Sequence, residues 1–385
     1  MKKPLSKTAL VSVWNHNYGS LLQTYAIQQY LLKTNYDNEI IYYKENSVLK
    51  RILRFSNSAY TVSKFKIIMR QLYIKLFYKD IGGELEKRSN KFEQFKKNHL
   101  LFSNIIVGSN NLIDEIKNYD QVVLGSDQVL HPANLLMNYF NLNFVPSSIK
   151  KIGFAPSFGV SSIPENQKNR TRNYLKRIEH LSVREIAGKK IVKDLTGRDV
   201  PVVCDPTLLV KKKIWDDLIA EVPKKEVNYI FCYFLGENPQ HRSFANELKK
   251  LTGFEIVTLK YLDEFVKSDM NFGDVSPFEV GPSEFVSLIS GAAYVLTDSF
   301  HASIFSIIYH RSFFTFNRFA ETKGKSTNSR ISSLFKTFNL NNRLILGDEN
   351  PSDLIKEEIN YKNVENEINK IRDFSESFLV TALQK

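Results

Sequence analysis

His301 follows the run Leu296-Thr297-Asp298-Ser299-Phe300, where a strand pattern gives way to a helical one. An imidazole at such a point can shuttle a proton or hydrogen-bond an anion. The plainer alternative is a capping-region histidine satisfied by backbone, with Ser299 or Asp298 capping the helix. Arg184 stands in Leu181-Ser182-Val183-Arg184-Glu185, again between a strand and a helix pattern. There a guanidinium fork and a helix N-terminus can act together on one anion. The alternative is an ion pair with a neighbour such as Glu185. Ser126, Asp127 and Gln128 end the run Val123-Leu124-Gly125. They suit hydrogen bonding to hydroxyls or base catalysis, or a simple Asx turn. Asn17, Tyr18 and Gly19 follow the first strand pattern, where a glycine permits close backbone approach. Asp205-Pro206 reads as a structural stop. Arg330, Lys323 and Lys325 lie on a polar loop before a helix, either closing over an anion or simply solvated.

Short β-branched runs alternate with helical runs along the whole chain, the pattern of parallel sheets covered by helices. In the first half, strands are predicted at Ala9–Trp14, Glu39–Tyr43, Gln121–Gly125, Lys151–Ala155, His180–Val183 and Val200–Cys204. Helices are predicted at Leu21–Leu32, Glu84–Lys97 and Gln167–Ile178. Val222–Val227 is charged, carries Pro223 and reads as a linker. A second set follows, with strands Tyr229–Leu235, Glu255–Leu259, Tyr294–Thr297 and Phe313–Phe316 and helices Arg242–Leu251, Pro282–Ser290 and His301–Ile308. A polar helical run at about 351–374 is expected to cross back to the first unit. The expected fold is therefore α/β, with two Rossmann-like domains facing a central cleft. Its divisions are an N-terminal domain over 1–223, a C-terminal domain over 224–350 and a helical tail over 351–385. Ligands in such sheets sit beyond the carboxyl ends of the strands, where all the turns named above would open.

Composition bounds the partners. The chain has 385 residues, 43% hydrophobic and 24% charged, which excludes wholesale disorder and suggests two domains. The net charge is +12, and residues 44–99 carry fourteen Lys and Arg against five Asp and Glu. Aromatics interleave there, and Phe65, Ile68, Leu72 and Leu76 fall at helical spacing beside Arg70, Lys75 and Lys79. Three readings compete: a solvated basic face, contact with an anionic membrane or lipid pyrophosphate, and nucleic acid, which no motif supports. Cys204 and Cys232 lie in apolar runs and fit a reducing compartment. No run reaches the ~20 apolar residues of a membrane span, and a cytoplasmic location is expected.

Several motifs fail. Gly324-Lys325-Ser326 lacks its upstream glycine, since Phe319 stands there. Gly-x-Gly-x-x-Gly, Asp-x-Asp and Gly-x-Ser-x-Gly are absent, and the seven histidines show no metal-ligand spacing. Glu247 with Glu255, and Glu357 with Glu365, are spaced as in some nucleotide-sugar glycosyltransferases. What survives is an ordered series: Asn17 to Gln23, Val123 to Val129, Phe154 to Gly159, Leu181 to Glu185, Asp205 to Leu209, Leu296 to His301, then Ser329-Arg330-Ile331 and Asn342-Arg343-Leu344-Ile345. In content and order it resembles the bacterial polysaccharide pyruvyl transferase family, from about residue 8 to 346. The departures are Ser20, where many members carry an acidic residue or alanine, and Ser299, where other branches carry a basic one.

The resemblance implies a two-Rossmann fold like that of GT-B glycosyltransferases. It also implies transfer of pyruvate from phosphoenolpyruvate to two hydroxyls of a sugar, forming a ketal and releasing phosphate. Phosphoenolpyruvate is a co-substrate, and no cofactor or metal is expected. On this reading Arg184, Ser299, His301, Arg330, Lys323 and Lys325 bind the donor. Asn17, Tyr18, Gly19, Ser126, Asp127 and Gln128 bind the acceptor, and His301, Asp127 and Arg184 are catalytic. The acceptor is expected to be a lipid-pyrophosphate-linked saccharide met through residues 44–99 at the membrane face. The competing readings are a nucleotide-sugar glycosyltransferase, supported only by the Glu pairs, and a degenerate binding module, against which Arg184 and His301 argue.

Overall fold

The structure is a computed structural model that describes residues 6–48, 81–223, 225–260, 266–317 and 329–384, with Thr61, Phe65, Ile68, Met69 and Leu72 between the first two stretches. Lys75, Lys79, Lys323 and Lys325, and nearly half of the basic segment 44–99, lie outside the described residues.

The first half contains β1 (Lys7–Val11), α1 (Tyr18–Lys33), β2 (Asp37–Ile40), β3 (Tyr43–Lys44), α2 (Ile81–His99), β4 (Ile106–Val107), β5 (Gln121–Leu124), β6 (Lys150–Gly153), α3 (Lys168–Arg177), β7 (His180–Leu181), α4 (Ile186–Thr196) and α5 (Pro206–Leu209). The second half contains β8 (Tyr229–Tyr233), α6 (Pro239–Thr252), β9 (Glu255–Thr258), α7 (Pro282–Gly291), β10 (Tyr294–Thr297), α8 (Phe300–Ile308), β11 (Ser312–Phe316), α9 (Ser329–Thr337), β12 (Leu344–Ile345) and α10 (Tyr361–Gln384). Two five-stranded parallel sheets result, ordered β2-β1-β5-β6-β7 and β12-β11-β10-β8-β9. Numbered along the chain within each sheet, both have the order 2-1-3-4-5. Each is a Rossmann-like unit, and each has its topological switch point between its first and third strands.

Strand residues alternate between two cores, as a pleated sheet with both faces covered requires. Leu10, Val123 and Ile152 face α1, whereas Ala9, Val11, Val122 and Leu124 face α3 and α4. In the second sheet Phe231, Val295 and Phe313 face inward, and Ile230, Cys232, Leu296 and Phe314 face α6. The two inward faces share one core. Thirteen of the sixteen residues of α1 are buried, because α1 packs on α7 and α8 of the second unit as well as on its own sheet. Tyr18 stacks on Phe285 with ring centroids 4.5 Å apart, and its hydroxyl donates to Val280 O at 3.0 Å. Lys91 reaches Glu284 at 2.7 Å across the same boundary.

Three predicted elements differ. Val200–Cys204 is not a strand. Pro201 has no N–H to continue a ladder, and only Val202 bridges to Val183. Glu39–Tyr43 divides into β2 and the separate pair β3–β4. The C-terminal run divides into a single helical turn at Pro351–Leu354 and the long helix α10, which begins at Tyr361 and runs to Gln384. It crosses back to the first unit, where Arg372 donates to Leu208 O, Ser375 accepts from Cys204 N, and Lys150 donates to Leu383 O, at 2.8, 2.9 and 2.8 Å. Both cysteines are buried and free. Among the described residues, no helix is long and apolar enough to cross a membrane.

Candidate active site

A cavity of about 560 Å³ takes its walls from the turns at both switch points. Asn17, Gly19 and Ser20 come after β1, and Asp127 and Gln128 after β5. Tyr233 and Leu235 come at the end of β8, and Ser299, Phe300 and His301 after β10. Arg330 enters from the first turn of α9, not from a loop before a helix.

Local chemistry sets each turn. Asn17 caps α1, its side chain accepting from Ser20 N at 3.1 Å. Ser299 caps α8 in the same way through Ala302 N. Asp298 does not cap. Its carboxylate accepts from Leu235 N and Gly236 N at 2.7 and 2.8 Å and ties the turn after β10 to that after β8.

His301 is the second residue of α8, and its ring lies against the backbone of α1. A Cβ on Gly19 would stand 2.0 Å from His301 Nδ1, so only glycine admits the imidazole there. On the other side Asp205 Oδ2 lies 3.6 Å from His301 Nε2, beyond hydrogen-bond length but within ion-pair range, and the buried Nε2 makes no hydrogen bond among the described residues. Asp205 is itself fully engaged. Its Oδ1 accepts from Thr207 N and Oγ1, and its Oδ2 from Arg184 Nη1 at 2.6 Å and Ser126 Oγ at 3.2 Å. Burial opposes its charge, but His301, Arg184 and the Thr207 amide outweigh burial and hold the carboxyl well below its ordinary range.

Asp127 has φ +70° and ψ −171°, a region that essentially only glycine occupies and that costs of order 1–3 kcal/mol. The side chain makes no cap bond. It accepts from Ser20 Oγ at 2.5 Å and stands 3.6 Å from Arg184 Nη2 and 4.0 Å from Arg330 Nη1. Burial raises its pKa, but the nearby charges of Arg184, His301 and Arg330 and the Ser20 hydroxyl bring it below the ordinary value. With its amide oxygen turned inward, Gln128 accepts from Arg330 Nη2 at 2.7 Å.

Three expected site residues do not line this cavity. Tyr18 is turned into the packing between the units. Ser126 is fully buried beneath the cavity and holds Asp205. Arg184 lies behind Phe300, 4.6 Å from its ring centroid, bordering a small cavity of about 60 Å³. Its ion-pair partner is Asp205, not Glu185, which instead accepts from Ser157 Oγ and Phe158 N. Burial opposes its charge, but Asp205 and Asp127 outweigh that and keep Arg184 cationic. Sequence reasoning took Asp205 only as a structural stop, and its role beside Arg184 and His301 was missed. It also missed His131, which shares the cavity wall. His131 Nδ1 accepts from Ala133 N at 3.1 Å, so its neutral ring carries the proton on Nε2. Burial and then the Arg330 charge lower its pKa and favour that neutral form. No local signal in the sequence marks it.

The chain has several structural likenesses of low identity. UDP-GlcNAc 2-epimerase from Methanocaldococcus jannaschii is 16% identical, covering 95% of this chain and 93% of that one with a TM-score of 0.46. The Neisseria meningitidis UDP-GlcNAc 2-epimerase is 11% identical over 97% and 99%, also at 0.46. The E. coli ADP-heptose LPS heptosyltransferase II is 10% identical over 96% and 99%, at 0.37. At this similarity they identify no activity for the chain, and no curated protein matches it in sequence. The family model for polysaccharide pyruvyl transferase, by contrast, matches residues 17–318, from the cap of α1 past β11. The chain belongs to the polysaccharide pyruvyl transferase family.

Proposed function

We propose that the protein transfers the pyruvyl group of phosphoenolpyruvate to two hydroxyls of one sugar in a surface-polysaccharide precursor. The observation that carries this reading is the convergence of His301, Asp127 and Arg330 on one cavity. Arg330 binds the donor phosphate through its fork, exchanging its loose contact with Asp127 for charge-assisted hydrogen bonds. His301 delivers a proton to the methylene carbon, which makes C2 electrophilic, and the Asp205 carboxylate beneath it steadies the imidazolium. A carboxylate held below its ordinary pKa is a poor base. Asp127 therefore orients the attacking hydroxyl and stabilises positive charge at C2. The first hydroxyl adds to C2, the bond from C2 to the phosphate oxygen breaks, and the second hydroxyl closes the ketal. Of the two protons the hydroxyls lose, one balances that given to the methylene carbon and one leaves with phosphate. Arg184 is assigned a positioning role through Asp205 and Asp127.

The test is phosphate release from phosphoenolpyruvate with galactose, glucose and N-acetylmannosamine acceptors, the products followed by mass spectrometry. A product heavier by one pyruvate ketal is expected. A protein that neither binds nor consumes phosphoenolpyruvate would overturn the reading. The acceptor is further proposed to be lipid-pyrophosphate-linked and met at the inner membrane face by residues 44–99. Neutralising Lys75 and Lys79 should then weaken binding to anionic liposomes, and unchanged binding would remove that part.

A further inference from the structure

The cavity continues sideways into a second one of about 440 Å³, the two sharing Val13, Asn15, Met137 and Phe140 in their walls. The second is walled by rings. Tyr43 and Tyr139 are stacked with centroids 5.4 Å apart, and Phe140 meets Tyr139 edge-on at 5.1 Å. Trp14 completes the wall, wedged edge-on against Tyr42 and Phe102 at 4.7 and 5.6 Å. These rings are fixed before any ligand arrives: Tyr139 donates to Ile41 O at 2.8 Å and Tyr43 to Glu45 at 2.8 Å. Lys44 and Glu45 supply polar groups of opposite charge at the rim.

We infer that this groove is a saccharide subsite that holds the sugar unit joined to the one that reacts. The inference rests on the pyruvyl-transfer reading for which unit reacts, and on the geometry for the rest. The larger cavity has the volume of one ligand-sized site. A three-carbon phosphate and a single sugar take up such a volume, so the next unit of an acceptor must leave it, and the adjoining space is this groove. A pyranose has apolar C–H faces and a polar rim. Its C–H bonds suit the negative faces of aromatic rings, and its hydroxyls suit a mixed Lys and Glu edge. A diphosphate would need excess positive charge, which one lysine beside one glutamate does not give.

The chain holds two tryptophans, Trp14 in the groove and Trp215, which is fully buried in the core. Acrylamide quenching of the intact protein therefore reports on Trp14. Titration with gluco- and galacto-oligosaccharides of one to four units should protect Trp14, with the tetrasaccharide binding at least fivefold more tightly than the monosaccharide. Tyr43→Ala should weaken the tetrasaccharide about fivefold to tenfold, and Tyr43→Phe, which keeps the ring, about twofold or less. Phosphoenolpyruvate is titrated separately. If it does not bind while Tyr43-dependent oligosaccharide binding persists, the pyruvyl reading fails and the groove stands. If short and long saccharides bind alike, if Tyr43→Ala changes neither, or if no saccharide protects Trp14, the groove assignment is overturned.

Discussion

Replacing Gly19 by alanine separates the reactivity of the site from the stability of the fold. The new Cβ would stand 2.0 Å from His301 Nδ1 and 2.5 Å from Cγ. Ordinary contact lies near 3.5 Å, so the imidazole must retreat by about 1.5 Å or swing to another rotamer. A displacement of about 1 Å at a reacting group costs on the order of 100-fold in rate, or about 2.7 kcal/mol in the barrier. Stability should move little. Gly19 lies in the first turn of α1, where alanine is favoured over glycine by up to about 1 kcal/mol, which offsets part of the clash. The assays are turnover, by phosphate release under saturating phosphoenolpyruvate, and urea unfolding. The expected result is kcat reduced about 100-fold with an unfolding midpoint close to that of the parent. A variant within about threefold of parental kcat would refute both the seat of His301 and its role. A variant that is simply unfolded would show that α1 cannot absorb the contact, and Gly19→Ser should then behave the same way.

Three further outcomes are expected. Asp205→Asn leaves the Arg184 guanidinium buried with one carboxylate fewer, which should cost about 3–5 kcal/mol in denaturant unfolding. Because the native carboxyl is held below its ordinary value, that penalty should be constant above about pH 5 and shrink only as pH falls below about 4. Arg330→Lys keeps the charge but loses the fork, and should raise KM for phosphoenolpyruvate about 10-fold to 100-fold, read from initial rates. His241 is fully buried in the second unit, and burial, reinforced by Arg242, lowers its pKa to about 4. The unfolded chain takes up that proton near 6.5, so native stability should fall by about 3 kcal/mol between pH 6.5 and 4. His241→Phe should flatten that slope in unfolding curves taken across the range.

The periodicity that revealed the strands was strongest where both faces are covered. Tyr294–Thr297 was read to the residue, and β5, β6, β8 and β9 to within one or two, because continuous apolar runs leave no other fate. It failed where hydrogen bonding decided. Val200–Cys204 has a strand's composition, but Pro201 cannot carry a ladder. The pocket residues Gly19, Asp127, Gln128, Ser299 and His301 were legible because turns after parallel strands must converge at the switch points. Direction within a turn was not legible. Tyr18 and Gly19 are neighbours, and one turns into the packing between the units while the other floors the cavity. Asp205 was passed over because its cap of α5 is a sufficient structural reason for an Asp-Pro-Thr sequence. Only the three-dimensional approach of Arg184 and His301 gives it a second one.

The burial of α1 on nearly every side also governs how the chain comes into being. A nascent first half has β1, β5 and β6 available to form their sheet, yet the face of α1 that meets α7 and α8 finds its partners only after residue 308 has been made. The N–H of Cys204 waits longer still, for Ser375. Folding therefore cannot close unit by unit during synthesis. The first half must persist with one face of α1 uncovered until α7 and α8 are made, and with the turn at Cys204 unpartnered until the last helix returns to it.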